Sequence, residues 1–171
     1  MVKNKPKIVM DSTVIVSLLR TDRLAIFSRF AHGRLLITNH VLVEITNCFP
    51  DQLKSFEYLV DRGILKQISV SNKDELLVFR DLCKLNTLGI GECAAIAVAV
   101  TGNRILAIDG RCASSQARRM QPDLRILSTK NLMDTLLKNN VMDENRLKTA
   151  LNAPFNTSSD RPPNTGVVES S

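Results

Sequence analysis

Residues 88–100 read LGIGECAAIAVAV, and the eight positions from Cys93 to Val100 are all small or apolar. A helix made from them has no polar face, and a helix apolar all round is a buried one. It is far too short to cross a membrane, which takes roughly 20 apolar residues. The segment therefore has to sit inside a domain with neighbours on every side. One residue fits poorly. Glu92 stands at the mouth of the run, where it is either an acid complementing the helix dipole in the first turn or part of a site.

The neighbouring sequence supplies what could enclose such a helix. Residues 7–10 (KIVM) read as a buried strand ending at Asp11, followed by an apolar helix over 14–19. Asp22 is placed to cap a second helix with Leu24, Phe27 and Phe30/Ala31 at helical spacing, and Gly33 breaks it. A strand over 34–38 follows, then a helix capped by Asn39 and ended by Pro50. A further amphipathic helix carries Leu53, Phe56, Leu59 and Val60 on one face and stops at Gly63. Residues 64–70 read as a weaker strand of alternating character, and 73–85 as a helix capped by Asn72. Past the opening segment come a strand over 104–108, a short basic helix over 113–120, a last strand over 124–127, and closing helices near 129–139 and 143–151. Strands alternating with helices predict an α/β fold, with a parallel sheet covered by helices on both faces.

A chain of 171 residues is the size of one domain. Residues 1–153 are expected to form it. The tail 154–171, rich in Pro, Ser, Asn and Thr, is expected to be disordered. Cys48, Cys83, Cys93 and Cys112 show no CxxC spacing, and only His32 and His40 could join them on a metal, so they are expected to be reduced and mostly buried thiols. The N-terminal lysines precede an apolar stretch that Asp11 interrupts too early for a signal peptide, which predicts a cytoplasmic protein. The net charge is +6; the tail holds Asp160, Arg161 and Glu169, a net −1, which leaves +7 on the rest. A basic body favours a polyanionic partner.

The carboxylates narrow the chemistry. In an open parallel sheet, ligands bind beyond the carboxyl ends of the strands, where the strand order reverses. Two strands run into an aspartate there, Asp11 and Asp109. Asp is also common where strands become loops, and Asp11 could simply cap the next helix. Glu44 shares a helix face with Val41, Ile45 and Cys48. An unpaired carboxylate there costs several kcal/mol. It must reach water at the rim, pair with Arg or Lys, or bind a cation. If Asp11, Glu44, Glu92 and Asp109 converge without adjacent bases they repel one another, whereas hard divalent ions make the arrangement reasonable. No GxxxxGK[ST], GxGxxG or GxSxG is present, Asp11-Ser-Thr13 lacks the second acid of phosphoaspartyl transferases, and soft ligands in zinc spacing are missing.

These residues resemble the PIN-domain family of metal-dependent ribonucleases. KIVMDSTVIVSLL looks like its first motif, with Asp11 and then Ser12; LLITNHVLVEI looks like the second, with Glu44. LGIGECAAIAVAVTGNRILAIDGRCA is similar to the third and fourth together, with Glu92 and Asp109. The likeness covers about residues 7–140 and is nearest to prokaryotic toxins of the VapC type. It implies a three-layer α/β/α sandwich and a Mg²⁺- or Mn²⁺-dependent endoribonuclease. Asp11, Glu44, Glu92 and Asp109 would hold the metal directly or through water, and Ser12 would orient Asp11 or a water. It also implies RNA as substrate, a 5′-phosphate product, a homodimer and an antitoxin partner. A catalytically silent scaffold that binds RNA or a protein is the competing expectation. Two departures stand out: Asp109 is followed by Gly110 where relatives often carry a second aspartate, and Thr13 sits where Asn or Ser is frequent. Arg111, Arg118, Arg119 and Arg125 form a basic cluster that could meet RNA phosphates or merely solvate a helix face.

Overall fold

In a computed structural model the described residues are 5–31 and 33–138. His32, the closing helix near 143–151 and the tail from 154 lie outside them. The elements are β1 (Ile8–Met10), α1 (Ser12–Arg20), α2 (Leu24–Ala31), β2 (Leu35–Thr38), α3 (Asn39–Cys48), α4 (Pro50–Asp61), β3 (Leu65–Ile68), α5 (Lys73–Cys83), α6 (Ile90–Thr101), β4 (Ile105–Ala107), α7 (Arg111–Met120), β5 (Ile126–Leu127) and α8 (Thr129–Lys138). The strands form one sheet in the order β3-β2-β1-β4-β5, and each pairing is parallel.

Two apolar clusters, one on each face of the sheet, produce the three layers. Ile8, Met10, Leu35, Ile37, Ile105 and Ala107 pack with residues of α1, α2, α3, α4 and α8. The intervening Val9, Leu36, Leu106 and Ile108 pack with residues of α5, α6 and α7. Successive strand side chains point to opposite faces, so a strand buried on both sides reads as an unbroken apolar run. Strands β1, β2 and β4 are buried at every position, whereas edge strand β3 is buried only at Leu65 and exposes Lys66 and Gln67. Polar residues on an edge discourage pairing with another chain.

Helix α6 is the segment with no polar face. It packs against α3, α5, α7 and strands β1, β2 and β4, and Cys93 through Ala99 are buried without a break. Its small residues let four alanines and a cysteine lie close to the sheet.

Several local expectations need correction. Thr38, not Asn39, caps α3: its side chain accepts from the Val41 N–H at 3.3 Å, while Asn39 is used by Ser69 and Gln67. Asp22 does not cap α2 but sits in the turn before it, in the left-handed region at φ 52°. Pro50 does more than end a helix; it opens α4, where its missing N–H costs nothing. All four cysteines are free, but only Cys93 is buried, and Cys48 and Cys112 are exposed. Among the described residues, no helix is long and apolar enough to cross a membrane.

Candidate active site

The strand order reverses at β1 and β4. The chain after β1 leads outward to β2 and β3, then returns to place β4 on the other side of β1. Asp11 and Asp109 lie just beyond the carboxyl ends of these two adjacent strands, beside the crevice such a reversal opens.

Asp11 is fully buried and caps α1. Its Oδ2 accepts from the Thr13 backbone N–H at 3.1 Å and the Thr13 hydroxyl at 2.6 Å. Its Oδ1 is buried with no hydrogen-bond partner among the described residues. Burial pushes the Asp11 pKa above the ordinary 3.8; the Thr13 hydrogen bonds oppose the rise, and the charges of Glu92 and Glu44 add to it. The capping role and the membership of an acidic cluster therefore hold together, one on each oxygen.

Glu44 escapes the core by reaching the rim, and no cation pairs with it among the described residues. Its Oε2 accepts from the Ser12 hydroxyl and its Oε1 from the Gly91 N–H, both at 2.8 Å. Gly91 lies in the first turn of α6, where backbone N–H groups lack helical partners and attract anions. Ser12 thus orients Glu44 and not Asp11; Thr13 holds Asp11.

Glu92 reaches back to the Gly89 N–H, 3.0 Å from Oε2, which is one half of a capping box. Its Oε1 would stand 2.9 Å from a β carbon on Gly110, so a side chain there would have to displace it. The glycine in place of a second aspartate makes room for Glu92.

Asp109 is engaged elsewhere. Both of its oxygens accept from Thr129, from the backbone N–H at 2.7 Å and from the hydroxyl at 2.6 Å, so the carboxylate sits on the N-terminus of α8. Asp109 is also exposed and is not among the charges that act on Asp11. Asp11, Glu44 and Glu92 are brought together electrostatically, with Asp109 beside them. Among the described residues, no three His, Cys, Asp or Glu side chains are close enough to hold one ion between them.

A hard cation still fits the donors. They are carboxylate oxygens, one is buried without a partner, and their neighbours carry the same charge. Mg²⁺ needs only one or two protein carboxylates and fills its remaining positions with water. Four further residues position the acids: Thr13 and Gly110, which the sequence singles out only as departures from the motif, Gly91, which the Gly-x-Gly-Glu phrase hints at, and Thr129, for which the sequence carries no signal.

A family model described as "DUF3368: PIN domain" matches residues 7–156. No curated protein matches the sequence.

Proposed function

The chain belongs to the PIN-domain family, whose members are usually nucleases that use divalent metals, and we propose that it is a Mg²⁺- or Mn²⁺-dependent endoribonuclease. One observation supports this most strongly: Asp11 is buried beside two like charges with Oδ1 unpartnered. A cation there relieves both the desolvation and the repulsion.

In this reading Asp11 would hold the ion through Oδ1, with Thr13 fixing its other oxygen. Glu44, set by Ser12 and Gly91, and Glu92, set by Gly89, would hold it through water, and Asp109 would act from the edge. A bound divalent ion supplies activation of a water and neutralisation of the phosphodiester charge. Hydrolysis forms a bond from water oxygen to phosphorus and breaks the bond to O3′. The proton ends on O3′, leaving a 5′-phosphate and a 3′-hydroxyl. Glu92 Oε1 accepts no hydrogen bond among the described residues and is open to take a proton from that water. The proposed setting is cytoplasmic: the toxin of a toxin–antitoxin module, homodimeric, restrained by an antitoxin that places a cationic group among these acids.

A second reading is a silent scaffold that binds RNA or a protein. The attachment of Asp109 to Thr129 and the lack of a closed three-ligand group among the described residues favour it. Labelled single-stranded RNA with Mn²⁺, with and without EDTA, separates the two when wild type is run beside Asp11→Asn. Cleavage by wild type only, abolished by EDTA, is expected. Equal cleavage by both proteins would sink the nuclease assignment, and binding without cleavage would leave the scaffold.

A further inference from the structure

A groove of about 430 Å³ runs between α7 and the start of α8, beginning beside Asp109. Its α7 wall is built from Arg111, Ser114, Ser115 and Arg118, spaced i, i+3, i+4 and i+7, which puts all four on one stripe of the helix. Ala113 and Ala117 bury the opposite side against the core. Ser128 and Asn131 form the far wall.

The donors on this stripe are unused. Neither arginine makes an ion pair or hydrogen bond among the described residues, although Asp109 lines the same groove. Thr129 donates to both Asp109 oxygens and holds that carboxylate on the start of α8. Helix hydroxyls elsewhere fold back on the carbonyl four residues earlier, as Ser17, Thr46 and Thr101 do. Ser114 and Ser115 make no such bond. Two guanidinium groups and two free hydroxyls on one face form an anion-recognition surface, because Arg presents a fork of donors that matches phosphate oxygens. The stripe starts at the N-terminal end of α7, whose cap Gly110 has no side chain to satisfy the first N–H groups. The acids beside it would repel a polyanion, so docking one there requires a compensating basic wall.

We propose that this groove is a backbone-phosphate subsite for single-stranded nucleic acid, gripping phosphates adjacent to the one that reacts. The adjacency to a reacting phosphate rests on the nuclease reading; binding needs no cleavage. The test follows a labelled single-stranded oligoribonucleotide by fluorescence anisotropy, in EDTA, across a salt series. Wild type is compared with Arg111→Ala/Arg118→Ala, with Arg111→Lys/Arg118→Lys, and with Lys54→Ala/Lys66→Ala. The last pair removes the same charge from exposed sites on α4 and β3. The Arg-to-Ala double variant should bind roughly tenfold or more weakly at low salt. Each lost phosphate contact should flatten the salt slope of a single strand by about 0.7, hence about 1.4 for both. The Lys-substituted pair should keep most of that slope, and the α4/β3 control should stay within about twofold of wild type. Equal losses in the Ala pair and the control would reduce the effect to net charge and overturn the subsite, as would an unchanged Ala pair. Inorganic phosphate provides the other arm. If it raises the melting temperature of wild type but not of the Ala pair while RNA binding is unmoved, the groove holds small anions and the strand reading fails. A protein that cleaves no RNA but shows the slope change keeps this inference while losing the nuclease assignment.

Discussion

The Gly91 N–H donates to Glu44 Oε1 at 2.8 Å, and a β carbon on Gly91 would drive into that same carboxylate, within 2.6 Å of Oε1 and closer still to Oε2. A glycine in the first turn of α6 is thus both the donor that holds an acid from α3 and the gap that admits it. Alanine is ordinarily favoured over glycine inside a helix by about 1 kcal/mol. Gly91→Ala should do the reverse here. Glu44 is tied on both oxygens, by Gly91 and Ser12, so it cannot swing aside cheaply. The variant should melt lower than wild type and lose roughly tenfold or more in RNA cleavage, since small misplacements of a positioned group carry large penalties. A variant that is more stable and equally active would show that Glu44 has no fixed place in the site.

Asp11 yields a pH prediction. Its folded pKa is raised above the ordinary 3.8, chiefly by burial, so ionisation costs more in the folded chain than in the unfolded one. The stabilising contribution is complete below the unfolded value and is lost as pH rises through the raised folded value. In EDTA, Asp11→Asn should therefore melt with wild type below about pH 3.8 and above it at neutral pH. A divalent ion should close or invert the neutral-pH gap, because only the ionised carboxylate binds it. Calorimetry from pH 3 to 8 checks both statements; a gap that is constant with pH would contradict them.

Glu92→Gln separates charge from geometry. The glutamine oxygen can still accept from the Gly89 N–H, so the cap survives while the repulsion of Asp11 disappears. The metal-free variant should melt higher than wild type. Mg²⁺ at 100 times its dissociation constant stabilises a one-site protein by about 2.7 kcal/mol, or roughly 5–10 °C at this chain length. Most of that rise should be absent in Glu92→Gln. An equal rise in both proteins would place the ion elsewhere.

The contrast between Asp11 and Asp109 also shows what the sequence made legible. The apolar run of α6, the unbroken strands β1, β2 and β4, and the two strand-ending aspartates follow from local patterns of period two and 3.6, and they sufficed for the layers and the crevice. Contacts between distant residues were invisible. Thr38 and Asn39 are both good caps, and the choice fell to Thr38 because Asn39 is drawn to Ser69 and Gln67 on and beyond the edge strand. Ser12 follows Asp11 in sequence, yet its hydroxyl meets Glu44, 32 residues away. Cys48 shares a helical stripe with Val41 and Ile45 but lies in the last turn of α3, where it is exposed.

Asp109 should behave unlike the other acids. With Thr129 N–H and hydroxyl on its two oxygens it serves the N-terminus of α8. Loss of such an acceptor typically costs about 1 kcal/mol, so Asp109→Ala should melt roughly 2–4 °C lower in EDTA. Asp11→Asn moves the other way under the same conditions. If Asp109→Ala left metal-free stability untouched while abolishing the Mg²⁺ response, Asp109 would be a ligand first and a cap not at all.

The cysteines differ in reactivity for reasons of burial. Cys93 lies inside α6 against Cys83 of α5, and burial pushes its thiol up to about 12, with the Cys83 thiol and the Glu92 charge adding to the rise. Alkylation requires the thiolate, so Cys93 is almost entirely protonated at pH 8 as well as shielded. Cys48 and Cys112 are exposed. A maleimide at pH 8 should label Cys48 and Cys112 within minutes and leave Cys93 unmodified until the chain unfolds, with Cys83 between them. Peptide mass spectrometry of timed aliquots reads the order directly. Labelling of Cys93 at the rate of Cys112 would mean that α6 opens from the sheet under native conditions, and that the glutamate beside it has no rigid support.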